Sequence, residues 1–338
     1  MPVLHLHADD ADAAFRKACA AKAEQTPVVQ GGGGWLFLPA ELRHISVGKF
    51  WGEDAAKVSK ATKPETADPL PAILDFKKQL DALNIELILV PVPAKGFVYP
   101  QAVEGKEAAA GAGARLDTFH QAFFKELVGN GITVIDLLPD FLAKRDADGG
   151  AVMYCKTDSH WSGKGISIAA DKIAALLKDK AWLKAAQEAA KLQPTAKEQE
   201  VEISGDLRGM LTANQPPAEK LKLRFITSNG APIQPDKASP VVLMGDSHNL
   251  VFHAGSDMLA SGAGLPDQLA SLLGIPVDLV AVRGSGATPA RVNLMRRAKA
   301  DAQYLAGKKV IIWCFTVREF TESSGWSKVP VAGAPAAK

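Results

Sequence analysis

The run VVLMGDSH, residues 241–248, decides how this chain folds. Val241 to Met244 are apolar without alternation, as in a strand buried on both faces inside a parallel sheet. Gly245 breaks the strand, and Asp246-Ser247-His248 follow. A serine just past the end of a buried strand, on a turn leading into a helix, is held rigidly with its hydroxyl exposed. Gly-Asp-Ser is also common in ordinary turns, so the stretch gains weight only from its surroundings.

Strand and helix patterns alternate on both sides of it. Upstream, residues 70–83 are amphipathic at helical spacing and IELILVPV (85–92) is a continuous apolar strand. A helix over 114–129, a strand at ITVIDL (132–137) and a helix over 162–178 come next. Downstream lie a helix near 265–273, the strand VDLVAV (277–282), a helix over 289–304 and the strand VIIWCF (310–315). Thr288-Pro289 fits an N-cap followed by proline at the first helical position.

The remaining segments are less regular. Residues 9–24 are alanine-rich and read as a short helix, and 52–69, with Pro64 and Pro69, as a surface loop. The GGGG at 31–34 lacks the Gly-Lys-Ser/Thr of a phosphate loop and reads as a tight turn into a buried segment from Trp35 to Phe37. Residues 181–200 read as a solvated helix or insertion, and 201–238 as irregular chain with short strands such as LKLRFI.

This alternation predicts an α/β fold: a three-layer αβα sandwich with a mostly parallel central sheet. One domain is expected over 1–326, with an insertion at about 181–238 and a disordered Pro- and Ala-rich tail over 327–338. Sites in such folds lie beyond the carboxyl ends of the strands. Ser247, the turn Arg283-Gly284-Ser285-Gly286 and the run Thr316-Val317-Arg318 follow three successive strands and converge there.

A second run, TDSHWSGKG (157–165), places Asp158 two residues before His160. A serine hydroxyl needs a base to take its proton, and the base needs a third group to orient it. Asp158, His160 and Ser247 supply those parts, and such devices are defined by geometry and not by chain order. Asp246 reads as a brace of the turn, and Trp161 as a core residue or a stacking surface for a sugar.

Composition narrows the alternatives. With 338 residues, 47% of them hydrophobic, the chain can bury a substantial core. A net charge of +2, with no basic stripe interleaved with aromatics, argues against nucleic acid as a partner. The 3 cysteines are too few for a disulfide scaffold. Cys314 reads as a buried strand residue, while Cys19 and Cys155 are left either free or paired. No cluster has zinc-ligand spacing, and no cofactor is implied. No apolar run is long enough to cross a membrane. The start, MPVLHLHADD, lacks a signal peptide, so the chain reads as cytoplasmic or as lacking an export segment or anchor. His5 and His7 read as a frayed terminus.

These residues resemble the SGNH hydrolase superfamily, with an altered order: the Asp–His pair usually comes last and here comes first. That order, with TDSHW, is similar to the alginate O-acetyltransferase family of AlgJ and AlgX. The resemblance also rests on GGWLFLPAELRHISVGKFWG (33–52), PVPAKGFVYP (91–100), YCKTDSHWSGKG (154–165), GLPDQLASLLGIPVDLV (264–280) and KKVIIWCFTVREF (308–320). It implies an SGNH hydrolase-like fold and acetyl transfer to an exported polysaccharide in the periplasm, with any inner-membrane anchor in a segment absent from this chain. A membrane-bound O-acyltransferase would supply the acetyl group, alongside other polysaccharide secretion proteins.

Carried over, Ser247 is the nucleophile, His160 the base and Asp158 its orienter. The backbone N–H groups of Ser247 and Gly284 are the expected oxyanion donors. Arg283 or Arg318 would assist them or bind a uronate carboxylate, the other reading of Arg318 being a salt bridge at the sheet edge. His248, Tyr99 and Lys95 are the expected substrate contacts. Where the family has Pro-Asp-Lys this chain has Pro93-Ala94-Lys95, and the usual oxyanion asparagine has no clear counterpart. The same residues would serve an esterase that removes acetyl groups, and a non-catalytic polysaccharide-binding scaffold is the third reading.

Overall fold

A computed structural model of the chain describes residues 8–107, 113–145 and 152–331. His5, His7 and the last part of the expected tail lie outside the described residues. Ten strands occur among those described. They are β1 (Val29–Gln30), β2 (Leu36–Phe37), β3 (Glu86–Val92), β4 (Thr133–Val134) and β5 (Pro194–Ile203), then β6 (Glu219–Ser228), β7 (Ala231–Pro232), β8 (Val241–Gly245), β9 (Asp278–Ala281) and β10 (Val310–Thr316).

Five of them form a parallel sheet in the order β4-β3-β10-β8-β9. Every residue of β8 and β10 is buried, as their unbroken apolar runs require. Helices cover both faces. The helices Pro69–Asp81 and Thr288–Ala300 share one layer, where the buried Arg291 guanidinium donates to the Ala72 carbonyl at 3.4 Å. The helices Gly163–Leu177 and Leu265–Leu273 pack together in the other. The result is the three-layer sandwich expected from the strand–helix alternation. No described helix is long and apolar enough to cross a membrane.

Three details differ from the sequence reading. The short strand expected at LKLRFI lies within a longer β6, which pairs antiparallel with β5 along ten residues each, and β7 extends the sheet, so a regular three-stranded sheet spans much of the stretch expected to be irregular. Glu198, Glu200 and Glu202 stand opposite Arg224, Lys222 and Lys220, so opposite charges across the ladder support a strand whose outer face has no apolar stripe. The tail is ordered as far as it is described. Val329 and Val331 are buried, and both ends of the Gln79 amide bond this segment, to the Val329 carbonyl at 2.9 Å and the Val331 N–H at 2.7 Å. Thr288 does not cap its helix. Its hydroxyl donates to the Gly325 carbonyl at 2.7 Å and accepts from Ser327 N–H at 3.0 Å, tying the helix to the final segment.

Candidate active site

Gly245 ends β8 at φ +153°, where a Cβ would lie 1.6 Å from the Cys314 carbonyl oxygen of the neighbouring strand. No side chain fits that approach, so glycine is obligatory at the turn. The chain then reverses through Asp246, whose carboxylate caps the 3-10 turn Ser247–Asn249 by accepting His248 N–H at 2.9 Å. Its second oxygen accepts Thr316 N–H at 2.8 Å from the end of β10. Burial alone would raise the Asp246 carboxyl, but the charges of His248 and Arg318 and these donors outweigh it and hold the group at about 2.

His160 reaches the same place on a tight β-turned loop. Tyr154 bridges Trp161, and Ser162 N–H donates to the Met153 carbonyl at 2.9 Å, so Asp158-Ser159-His160 form the tip. The Trp161 indole donates to the His248 carbonyl at 3.0 Å and fastens the loop to the serine turn. At the tip, His160 Nδ1 lies 2.7 Å from Asp158 Oδ1, and His160 Nε2 lies 2.7 Å from Ser247 Oγ. An ionised carboxylate only accepts, so the Nδ1 proton faces Asp158 and Nε2 is left to accept the serine proton. Burial would lower the His160 imidazole, but the hydrogen bond and charge of Asp158, with Asp206 beyond, outweigh it and push the group up. Asp158 is correspondingly lowered: burial acts against it, and His160 prevails. Ser247 is only 8% exposed, so the residue lies almost wholly within the protein.

The other expected site residues separate into two groups. His248 is buried with its ring centroid 4.9 Å from that of His160, and its Nδ1 lies 3.2 Å from Asp246 Oδ1, so the ring packs beneath the triad. Gly284, at φ +95°, and Arg283 are exposed on the loop after β9, with Arg283 paired to Asp257 at 2.7 Å. Arg318 is half-buried, its charge acts on Glu41, His160, Asp246 and Glu319, and its Nη1 is buried without a hydrogen-bond partner. It makes no salt bridge within 4 Å among the described residues, which removes the sheet-edge pairing as an account of it.

Lys95 and Tyr99 require correction. Both are wholly buried and neither can wall a groove. The Lys95 ammonium donates to the carbonyls of Leu36, Lys156 and Asp158 at 2.6, 3.1 and 2.9 Å, and Tyr99 Oη accepts Met153 N–H at 2.8 Å. They hold the triad loop from beneath. Trp161 is likewise fully buried, which settles its core role. Cys19 and Cys155 are free, buried thiols, so the disulfide left open by the sequence is absent.

Three acidic residues were missed. Asp206 and Glu219, from the hairpin segment, bond the triad loop, and Glu319 bonds the Ser285 hydroxyl beside Gly284. Burial pushes the Glu319 carboxyl up to about 7. The first two lie far from the triad in sequence, and the only local hint was their place in charged, strand-flanking chain. Asp158, His160 and Asp206 bring ligand atoms within 4.8 Å of one another, as a metal site would. Their hydrogen bonds to one another and to Ser159 and Ser247 account for that spacing without a cation.

Comparison with known proteins shows the family of the chain. The model of the SGNH hydrolase-like domain of the acetyltransferase AlgX matches residues 28–317. The probable alginate O-acetylase AlgJ of Pseudomonas fluorescens is 31% identical over 189 residues, covering 51% of this chain and 44% of that one. The probable alginate O-acetylase AlgJ of Pseudomonas aeruginosa is 28% identical over 152 residues, covering 45% and 33%. The matches thus span less than half the length of these relatives. The O-acetyltransferase domain of Pseudomonas putida AlgJ superposes with a TM-score of 0.59 at 19% identity, covering 91% of this chain and 95% of that one, a likeness of fold.

Proposed function

Because this chain belongs to the AlgX family of SGNH hydrolase-like acetyltransferase domains, we propose that it transfers acetyl groups onto hydroxyls of an exported, alginate-like polysaccharide. The observation that carries the reading is the unbroken relay from Asp158 Oδ1 to His160 Nδ1 and from His160 Nε2 to Ser247 Oγ, each 2.7 Å long.

His160 Nε2 takes the Ser247 proton as Oγ attacks the carbonyl carbon of a donor acetyl ester. The tetrahedral intermediate collapses to acetyl-serine, and the departing alcohol takes the proton from His160. An acceptor hydroxyl then gives its proton to Nε2 and attacks the acetyl-serine, which frees Ser247. Asp158 stays ionised and steadies the imidazolium. The backbone N–H groups of Ser247 and Gly284 receive the oxyanion, a role in which one well-placed donor is worth about 3 kcal/mol. Arg318, with an unpartnered buried N–H, would grip a uronate carboxylate. The acetyl group would come from a membrane-bound O-acyltransferase, and the site of action would be the periplasm, beside other secretion proteins.

Mass spectrometry of an oligosaccharide panel incubated with a simple acetyl ester tests this reading. Wild type is expected to acetylate an oligosaccharide, and Ser247→Ala to leave every one unmodified. Ester consumption by wild type with no acetylated sugar would replace the transferase with an acetylesterase. Equal activity in Ser247→Ala would remove the triad from the mechanism.

A further inference from the structure

Beyond its internal bonds, the loop that carries Asp158 and His160 is held at Lys156, Thr157 and Ser159 by two carboxylates of the hairpin segment. Glu219, at the start of β6, accepts Lys156 N–H at 2.9 Å, Thr157 N–H at 3.0 Å and the Thr157 hydroxyl at 2.9 Å. Asp206, three residues past the end of β5, accepts Ser159 N–H at 2.7 Å and the Ser159 hydroxyl at 2.6 Å. Its own N–H donates to Asp158 Oδ2 at 2.8 Å. The two aspartates thus clasp each other's chain: each carboxylate accepts an N–H from the other's segment. Gly205 lets the strands approach so closely, since a Cβ there would lie 2.2 Å from the Thr157 carbonyl oxygen.

The clasp is aimed at the triad. Asp158 Oδ1 is occupied by His160, with Nδ1 at 2.7 Å and the backbone N–H at 3.0 Å, so the Asp206 N–H on Oδ2 fixes the carboxylate's remaining rotation. Without it the carboxylate plane could turn away from the imidazole. We propose that Asp206 is a positioning residue, and that the β5–β6 hairpin is the element that holds the Asp158–His160 pair in register with Ser247. The inference rests on the triad reading above and extends it to an element that is remote in sequence.

Asp206 also places a second negative charge near His160. The charged and titratable groups that face this imidazole are Asp158 and Asp206, which favour its protonated form, Arg318, which opposes it, and His248, whose own imidazole is lowered by burial and by the neighbouring His160. Removing the Asp206 charge therefore lowers the pH at which His160 becomes a free base.

The test is turnover of a simple acetyl ester across pH by wild type, Asp206→Asn, Asp206→Ala, Glu200→Gln and Ser247→Ala. Asp206→Asn keeps an acceptor for Ser159 and the backbone N–H on Asp158, so it isolates the charge, and the acidic limb of its kcat/KM profile is expected at lower pH. Asp206→Ala also keeps the backbone N–H on Asp158 but removes both acceptors of Ser159, so half of the clasp is lost and the loop tip is released, and kcat is expected to fall about tenfold to a hundredfold at unchanged KM, as for outer partners that orient a metal-bound histidine. Glu200→Gln, exposed on the same hairpin, is expected to match wild type. If both Asp206 variants keep the wild-type kcat and acidic limb while Ser247→Ala is inactive, the inference fails and the triad stands. If Ser247→Ala turns over normally, the triad reading itself fails. Should Asp206→Ala not fold, the Asp206→Asn profile decides alone.

Discussion

Asp246, one residue past the end of β8, is bonded to Thr316 at the end of β10: the Asp246 carboxylate, next to Ser247, accepts the Thr316 N–H at 2.8 Å. Asp246 also sits beside a histidine, His248, and so imitates the acid of a catalytic pair. Its bonds show otherwise, because both oxygens are committed to backbone N–H groups of the turn and of β10.

Replacing Asp246 by Ala is therefore expected to destabilise the fold more than it alters the chemistry. The Thr316 and His248 N–H groups would be left buried without acceptors, at roughly 1–3 kcal/mol each. Urea unfolding should show a loss of at least about 2 kcal/mol. Because the folded carboxyl is held down at about 2, its contribution is present above the ordinary carboxylate range and disappears as pH falls toward that value. An unchanged unfolding midpoint in the Ala variant would contradict this account.

Lys95→Met should expose what holds the triad loop. The substitution keeps much of the buried stem but leaves three carbonyls, those of Leu36, Lys156 and Asp158, without their donor. It also takes from the buried Glu41 carboxylate one of the two cations that act on it, leaving Arg318 and the Gly96 N–H. Removing one partner from such a buried group costs about 3–5 kcal/mol. Denaturation measures the loss, and hydrogen exchange at residues 152–162 should rise in the variant. Wild-type protection there would show that Lys95 is dispensable to the loop.

Glu319 offers a test by pH. Burial raises its carboxyl from the ordinary value of 4.5 to about 7. The raised value means that stability present below pH 4.5 is lost progressively as pH rises through 7. Glu319→Gln cannot ionise, so this loss is absent from its stability over that window while the contributions of other groups remain. The variant should match wild type at the acid end and exceed it at pH 8, by on the order of 3 kcal/mol. Thermal melts at the two pH values read the difference, and parallel curves would refute it.

The 3 cysteines, all buried and free, should be silent to thiol reagents in the native state. Burial pushes each thiol up, away from the reactive thiolate. A chromogenic disulfide reagent is expected to titrate no thiol before denaturation and 3 afterwards, with the melting temperature indifferent to reductant. Rapid native labelling of Cys19 or Cys155 would overturn their placement.

Much of this molecule was legible in one dimension because its signals are local. The apolar runs at 241–244 and 310–315 could only be strands of a covered parallel sheet, since no polar residue alternates to face water. The turn GDS and the loop TDSH each gather their polar residues within a few positions, so Ser247, His160 and Asp158 stand out in the sequence, and the fold joins them by 2.7 Å contacts. Arg318 and Gly284 were placed at the carboxyl edge by strand order alone.

What tertiary structure alone decided is which polar residues serve the site by supporting it. Lys95 and Tyr99 follow a strand end, as binding residues do, yet their side chains turn inward because the triad loop offers them buried carbonyls and an N–H. The stretch 194–203 has no apolar face to announce a strand and becomes one only when β6 supplies partners and opposite charges. Asp206 lies 48 residues from Asp158 and meets it through a backbone N–H, a group every residue but proline possesses and no sequence pattern marks. The triad is written in side-chain identities, but the contacts that hold it rigid are made largely by backbone atoms brought together by the fold.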